Sequence, residues 1–153
     1  MSDIKTRLSN AVKESMKARN EHRTTTLRMV ISEIKKRDID NEIKGKPALN
    51  DTEAMAVLLT LVKQRKESAT TFIQGGRQEL ADKENLEIAM IEEFLPKQLD
   101  ESEAKAKIKA IIAEVGASSA KDMGKVMGVV KERLAGQVDM TKVSGWVKES
   151  LAA

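Results

Sequence analysis

The chain has 153 residues, 41% of them hydrophobic and 33% charged, with 27 basic side chains against 24 acidic ones, one His and no Cys. Without Cys there are no disulfides, thiolate zinc sites, iron–sulfur clusters or Cys nucleophiles, and a single His leaves no His-paired metal site. No apolar run reaches the roughly 18 residues of a membrane span, so neither a membrane partner, a metal nor a cofactor is expected.

Helical spacing runs through almost the whole chain, and no segment alternates as a strand would. A first helix carries Ile4, Leu8, Val12 and Met16 on one row, with Ser2 or Asp3 as its N-cap. The start is amphipathic and lacks the apolar stretch of a signal peptide, so the expected location is the cytoplasm. After Arg19-Asn20, a second helix bears Leu27, Val30, Ile31 and Ile34, and Lys44-Gly45-Lys46-Pro47 ends it. Asn50 to Glu53 reads as a capping box that opens a third helix with Met55, Leu58, Leu59, Val62, Ala69 and Ile73. Gly75-Gly76 reverses the chain into a fourth helix with Leu80, Ile88, Ile91 and Leu95, which Pro96 stops.

Beyond Pro96 the helices are shorter and richer in Ala and Gly. One is capped by Asp100 and closed by Gly116, with Ile108, Ile111, Ile112 and Val115 on its apolar side. The next opens at Ser119 with Asp122 and carries Met123, Val126, Met127, Val130 and Leu134. The last is capped by Asp139 and bears Val143, Trp146, Val147 and Leu151. The expected fold is all-α: a four-helix domain over 1–95, then a three-helix domain over 96–153.

Charges that fall on apolar stripes are the informative sites. At about 100° per residue, Lys66 falls between Val62 and Ile73, and Glu84 and Glu87 fall on the row from Leu80 to Ile91. Antiparallel pairing through Gly75-Gly76 brings them together, with Arg23 at the edge of the second helix. This Lys66–Glu84–Glu87–Arg23 cluster reads chiefly as a structural ion network. The alternative is paired carboxylates beside a base, one of them shifted for acid–base work. No nucleophile has a base at a recognisable spacing, so no catalytic residue is assigned. His22, near a helix start, lacks the partners of a triad.

Trp146, Phe72 and Phe94 sit on apolar faces and are assigned to packing; three aromatics are too few for a stacking platform along single-stranded nucleic acid. The segment Lys121-Asp122-Met123-Gly124-Lys125-Val126-Met127-Gly128 is more specific. Two glycines inside a helix cost about 1 kcal/mol each relative to Ala, so something should approach closely there. A neighbouring helix would serve, and so would a phosphate backbone held by Lys121 and Lys125. Lys131 and Arg133, further along this helix, complete the RNA-binding candidates.

Several stretches together resemble the YqeY proteins of the GatB/YqeY family: Val62-Lys63-Gln64-Arg65-Lys66-Glu67-Ser68, Phe72 to Arg77, Phe94-Leu95-Pro96-Lys97-Gln98-Leu99, Lys121 to Met127, and the early Leu27-Arg28-Met29-Val30-Ile31. The resemblance covers essentially the whole chain and implies an all-helical, two-domain protein of bacterial type. Its C-terminal part is similar to the tail of GatB, a subunit of the transamidase that converts misacylated Glu-tRNA or Asp-tRNA. In that enzyme the tail engages tRNA, and the chemistry resides elsewhere. The implied function is an accessory role, binding tRNA or a tRNA-dependent enzyme. A carbon–nitrogen ligase activity with glutamine as amide donor, or a protein–protein adaptor, are the alternatives. The family pattern Gly-Arg-Ala-Asp is Gly136-Gln137-Val138-Asp139 here, one positive charge fewer.

Overall fold

The structure, a computed structural model, describes residues 3–152. Its order is α1 (Asp3–Lys17), α2 (Glu21–Ile43), α3 (Asp51–Gln74), α4 (Gln78–Glu92), α5 (Glu101–Val115), a 3-10 turn (Ala120–Asp122), α6 (Met123–Arg133) and α7 (Met140–Ala152). No strand occurs among the described residues. Two compact units result, one ending at Pro96 and one beginning at Lys97. Ser2, one of the two N-cap candidates for α1, lies outside the described residues, and Asp3 is already helical.

Local chemistry sets the helix ends of the first unit. Arg19 turns the chain with φ 56°, and the Asn20 side chain accepts from the Arg23 N–H at 3.1 Å to start α2. Beneath this turn the buried hydroxyls of Ser15 and Thr24 lie 2.7 Å apart, which ties α1 to α2. The connection from α2 to α3 is held by Asp38. Its carboxylate accepts from the Leu49 N–H at 2.8 Å and pairs with the Lys5 ammonium at 2.9 Å. Burial works against the charge of Asp38, yet Lys5 and the Leu49 N–H hold its carboxyl below the ordinary 3.8. Asn50 and Glu53 form the expected capping box. Gly76, at φ 73°, makes the reversal into α4.

Four helices meet on one core, in which Leu8 of α1, Leu27 of α2, Leu58 of α3 and Ile91 of α4 are completely buried. Truncating any of the leucines to Ala would cost about 2–5 kcal/mol. Helix α4 stops at Glu92, earlier than the Leu80–Leu95 stripe suggests. A residue preceding proline avoids the helical region, so Phe94 and Leu95 turn out of the helix and Phe94 plugs the core at 6% exposure.

The second unit packs Ile108 of α5, Val126 and Val130 of α6, and Val143 and Val147 of α7 into a separate aliphatic core. Gly116 ends α5 at φ 70°. The Asp122 carboxylate accepts from the N–H groups of Ser118 and Ser119 at 3.0 and 3.3 Å. That motif opens a single 3-10 turn, and α6 begins only at Met123. Asp139 accepts from the Thr141 N–H at 3.0 Å at the head of α7. Residues 97–99 form a strap: Gln98 Nε2 donates to the Gly136 carbonyl at 2.7 Å, and the Leu99 N–H donates to the Gln137 carbonyl at 2.9 Å.

Candidate functional site

Helix α6 turns Val126 and Val130 inward, with its C-cap Leu134 following, which leaves Gly124, Lys125, Gly128 and Lys131 on the exposed side; Lys121, in the turn before it, is exposed as well. A Cβ added at Gly124 or Gly128 would meet nothing within 4 Å, and the same holds for Gly145 of α7. The close helix neighbour that would have explained these glycines is therefore absent among the described residues. Both glycines carry ordinary helical φ, so the turn geometry does not require them either.

The basic side chains around this face differ in freedom. Arg133 is committed to Glu114, donating to both carboxylate oxygens, one of them at 2.8 Å. This hydrogen bonding and charge hold the Glu114 carboxyl below its ordinary value and raise the guanidinium. Lys125 donates to the Val115 carbonyl at 3.3 Å. The Asp122 carboxyl is held low by the N–H groups of Ser118 and Ser119, with Lys125 adding attraction. Among the four basic candidates, Lys121, Lys125 and Lys131 remain able to meet an anion at little cost.

In the first unit the expected Lys66–Glu84–Glu87–Arg23 cluster is arranged differently. Lys66 is exposed. Ile73, which had helped define the stripe, is 52% exposed. The buried row is Leu58, Leu61, Val62 and Ala69, and Arg65 lies on it, one residue or about 100° from Lys66. Glu87 faces Arg65 at 3.8 Å, with 15% and 16% of the two side chains exposed. It also faces His22 of α2 at 3.6 Å. Arg65 further donates to the Leu61 carbonyl at 3.2 Å. Arg23 pairs instead with Glu93 at 2.5 Å. Glu84 is half-buried and makes no ion pair with Lys66 or Arg23 among the described residues. His22 Nε2 and Arg65 Nε are buried without hydrogen-bond partners among the described residues. The trio joins α2, α3 and α4 through one carboxylate, which suits a register-fixing ion network.

No group of three His, Cys, Asp or Glu side chains that could hold a metal occurs among the described residues. No described helix is long and apolar enough to cross a membrane. A family model described as Yqey-like protein matches residues 5–151. The chain belongs to the YqeY family.

Its relatives include fungal proteins named "Altered inheritance of mitochondria protein 41, mitochondrial". The one from Clavispora lusitaniae is 35% identical over 128 residues, covering 81% of this chain and 72% of the relative. Those from Kluyveromyces lactis and Eremothecium gossypii are 34% and 33% identical over 87 and 97 residues, covering 57% and 61% of this chain. In these last two the match spans about half the relative, 45% and 49% of its length.

Sequence reasoning missed two features of this YqeY-family chain. Arg65 was detectable, since dropping the terminal Ile73 from the stripe rotates its centre onto that residue. The His22–Glu87 contact was not, because it depends on how the head of α2 meets α4. Around Trp146, packing accounts for only part of the indole: it is half-buried against the second core, and Lys105 of α5 lies over the ring, 5.8 Å from its centroid.

Proposed function

We propose that this chain is a cytoplasmic accessory protein whose C-terminal three helices bind tRNA, or an enzyme that works on tRNA. The open glycine–lysine face of α6 carries this reading. Two helix-interior glycines are kept where nothing in the chain touches them, and Lys121, Lys125 and Lys131 lie exposed around them. A backbone bare of Cβ atoms lets a phosphate or a partner surface come close, while the ammonium groups supply charge. The resemblance of the motifs in residues 96–153 to the GatB tail is what suggests RNA as the partner of this face.

The test is a gel-shift titration against total tRNA at two salt concentrations. With three lysines on phosphates, log affinity should fall against log salt with a slope of roughly −2 to −3. Lys121→Glu combined with Lys125→Glu should abolish the shift. Absence of binding at low salt, or binding indifferent to the double substitution, would refute the RNA form. Recovery of a tRNA-dependent enzyme in a nuclease-treated pull-down would then support the protein-partner form.

A further inference from the structure

The second unit carries a groove of about 310 Å³ between α5 and α7, lined by Lys105, Ala106, Lys109, Trp146, Glu149 and Ser150. It lies at the small end of the range for ligand sites. Its chemistry is asymmetric. Lys105 and Lys109 stand one turn apart on the α5 edge and so present two ammonium groups on one side. Glu149 and Ser150 face them from α7 as hydroxyl-binding groups. Ala106 is too small to fill the space between, and the half-buried Trp146 indole forms a flat wall.

We infer that this groove binds a mononucleotide unit, with its base against the Trp146 indole, its phosphate between Lys105 and Lys109, and its ribose hydroxyls toward Glu149 and Ser150. Each part of the ligand meets the one group in the groove suited to it. The aromatic wall takes any base, because every base has a π face. The i,i+4 lysine pair takes the doubly charged phosphate, and a carboxylate accepts from ribose hydroxyls. Lys105 already lies over the ring, 5.8 Å from its centroid, so that face is reachable by a ligand. Lys105 is held by an exposed ion pair with Glu101 at 2.8 Å, the two side chains 46% and 64% exposed, and Glu149 adds attraction across the groove. Such pairs contribute little, and base stacking outweighs an exposed cation–π contact. A base can therefore displace the ammonium from the ring and leave it to the phosphate. Lys109 has no ion-pair partner among the described residues, so its charge is free for the same phosphate. The site uses a different set of residues from the α6 face and does not depend on it. A free nucleotide and the end of an RNA strand would supply the same chemistry.

Trp146 is the chain's one tryptophan, and there is no tyrosine, so its fluorescence reports this groove directly. The full chain is titrated at low salt with AMP, with free tryptophan correcting for absorption. Saturable quenching is expected, weakened about tenfold or more in Lys109→Glu, which corresponds to loss of one charge-assisted contact. Adenosine should quench more weakly than AMP. The Lys121→Glu/Lys125→Glu protein should quench like the parent, which separates this site from tRNA binding by α6. A short oligoadenylate that binds more tightly than AMP identifies an RNA end as the natural source, and equal binding identifies the free nucleotide. Lys109 is exposed, so a melting temperature equal to the parent's confirms that its variant is folded. Absence of saturable quenching by both AMP and the oligonucleotide overturns the proposal. So does quenching that Lys109→Glu leaves unchanged, or quenching seen only with an acidic aromatic peptide.

Discussion

Replacing Gly128 by Ala should stabilise the second unit, a sharp consequence of the open α6 face. The added methyl meets nothing within 4 Å, so it creates no clash and gains no packing. The effect reduces to helix propensity and to the lower entropy of the unfolded chain, about 1 kcal/mol in favour of Ala at a mid-helix position. Gly124 is the second residue of α6, where backbone N–H groups are not yet in the helical ladder, and its gain should be smaller. For a unit of this size, 1 kcal/mol moves the melting temperature by about 4–8 °C. Thermal unfolding followed by Trp146 fluorescence isolates the relevant transition, because the only tryptophan lies in that unit. The Gly124→Ala/Gly128→Ala protein should therefore melt several degrees higher and yet bind tRNA more weakly, since two methyls now stand on the contact surface. A lower melting temperature for Gly128→Ala would refute the reasoning, because it would mean that a helix of this chain packs on the glycine after all.

Glu114→Gln should free Arg133 and tighten tRNA binding, and the salt slope should steepen by about one phosphate contact; gel shifts at several salt concentrations measure both. In the first unit, Glu87→Ala strips the partner from the largely buried Arg65 and should cost about 1–3 kcal/mol in urea unfolding. Lys66→Met, at an exposed position, should stay within about 0.5 kcal/mol of the parent. Equal effects would restore Lys66 to the network. Asp38 should make stability acid-sensitive. Its folded carboxyl lies below the ordinary 3.8, so the stabilisation is fully present above that value and is withdrawn as pH falls through the lower, folded one. Asp38→Asn should flatten that part of the stability–pH curve, as read by urea midpoints at stepped pH.

The helices were legible because their ends are written in short-range chemistry. Asn50 with Glu53, Asp100 with Glu103, Gly76 and Gly116 each act within a few residues. Side-chain partnerships were less so, since they depend on angular phase. An error of one residue exchanges Arg65 for Lys66, and counting the exposed Ile73 of the last turn into the stripe is enough to cause it. His22 could not be paired from sequence, as its partner Glu87 arrives from a helix two connections away. The glycines of α6 illustrate a different limit. Their spacing is visible in the sequence, whereas the emptiness around them is a property of three dimensions.

The strap made by Gln98 and Leu99 bears on where the second unit can be cut. Its two hydrogen bonds satisfy the carbonyls of Gly136 and Gln137, on the turn that delivers the chain to α7. A fragment beginning at the Asp100 cap would keep every helix and still leave those carbonyls unanswered. The smallest portable form of this module therefore starts at Lys97, and a graft onto another protein should carry those three residues with it.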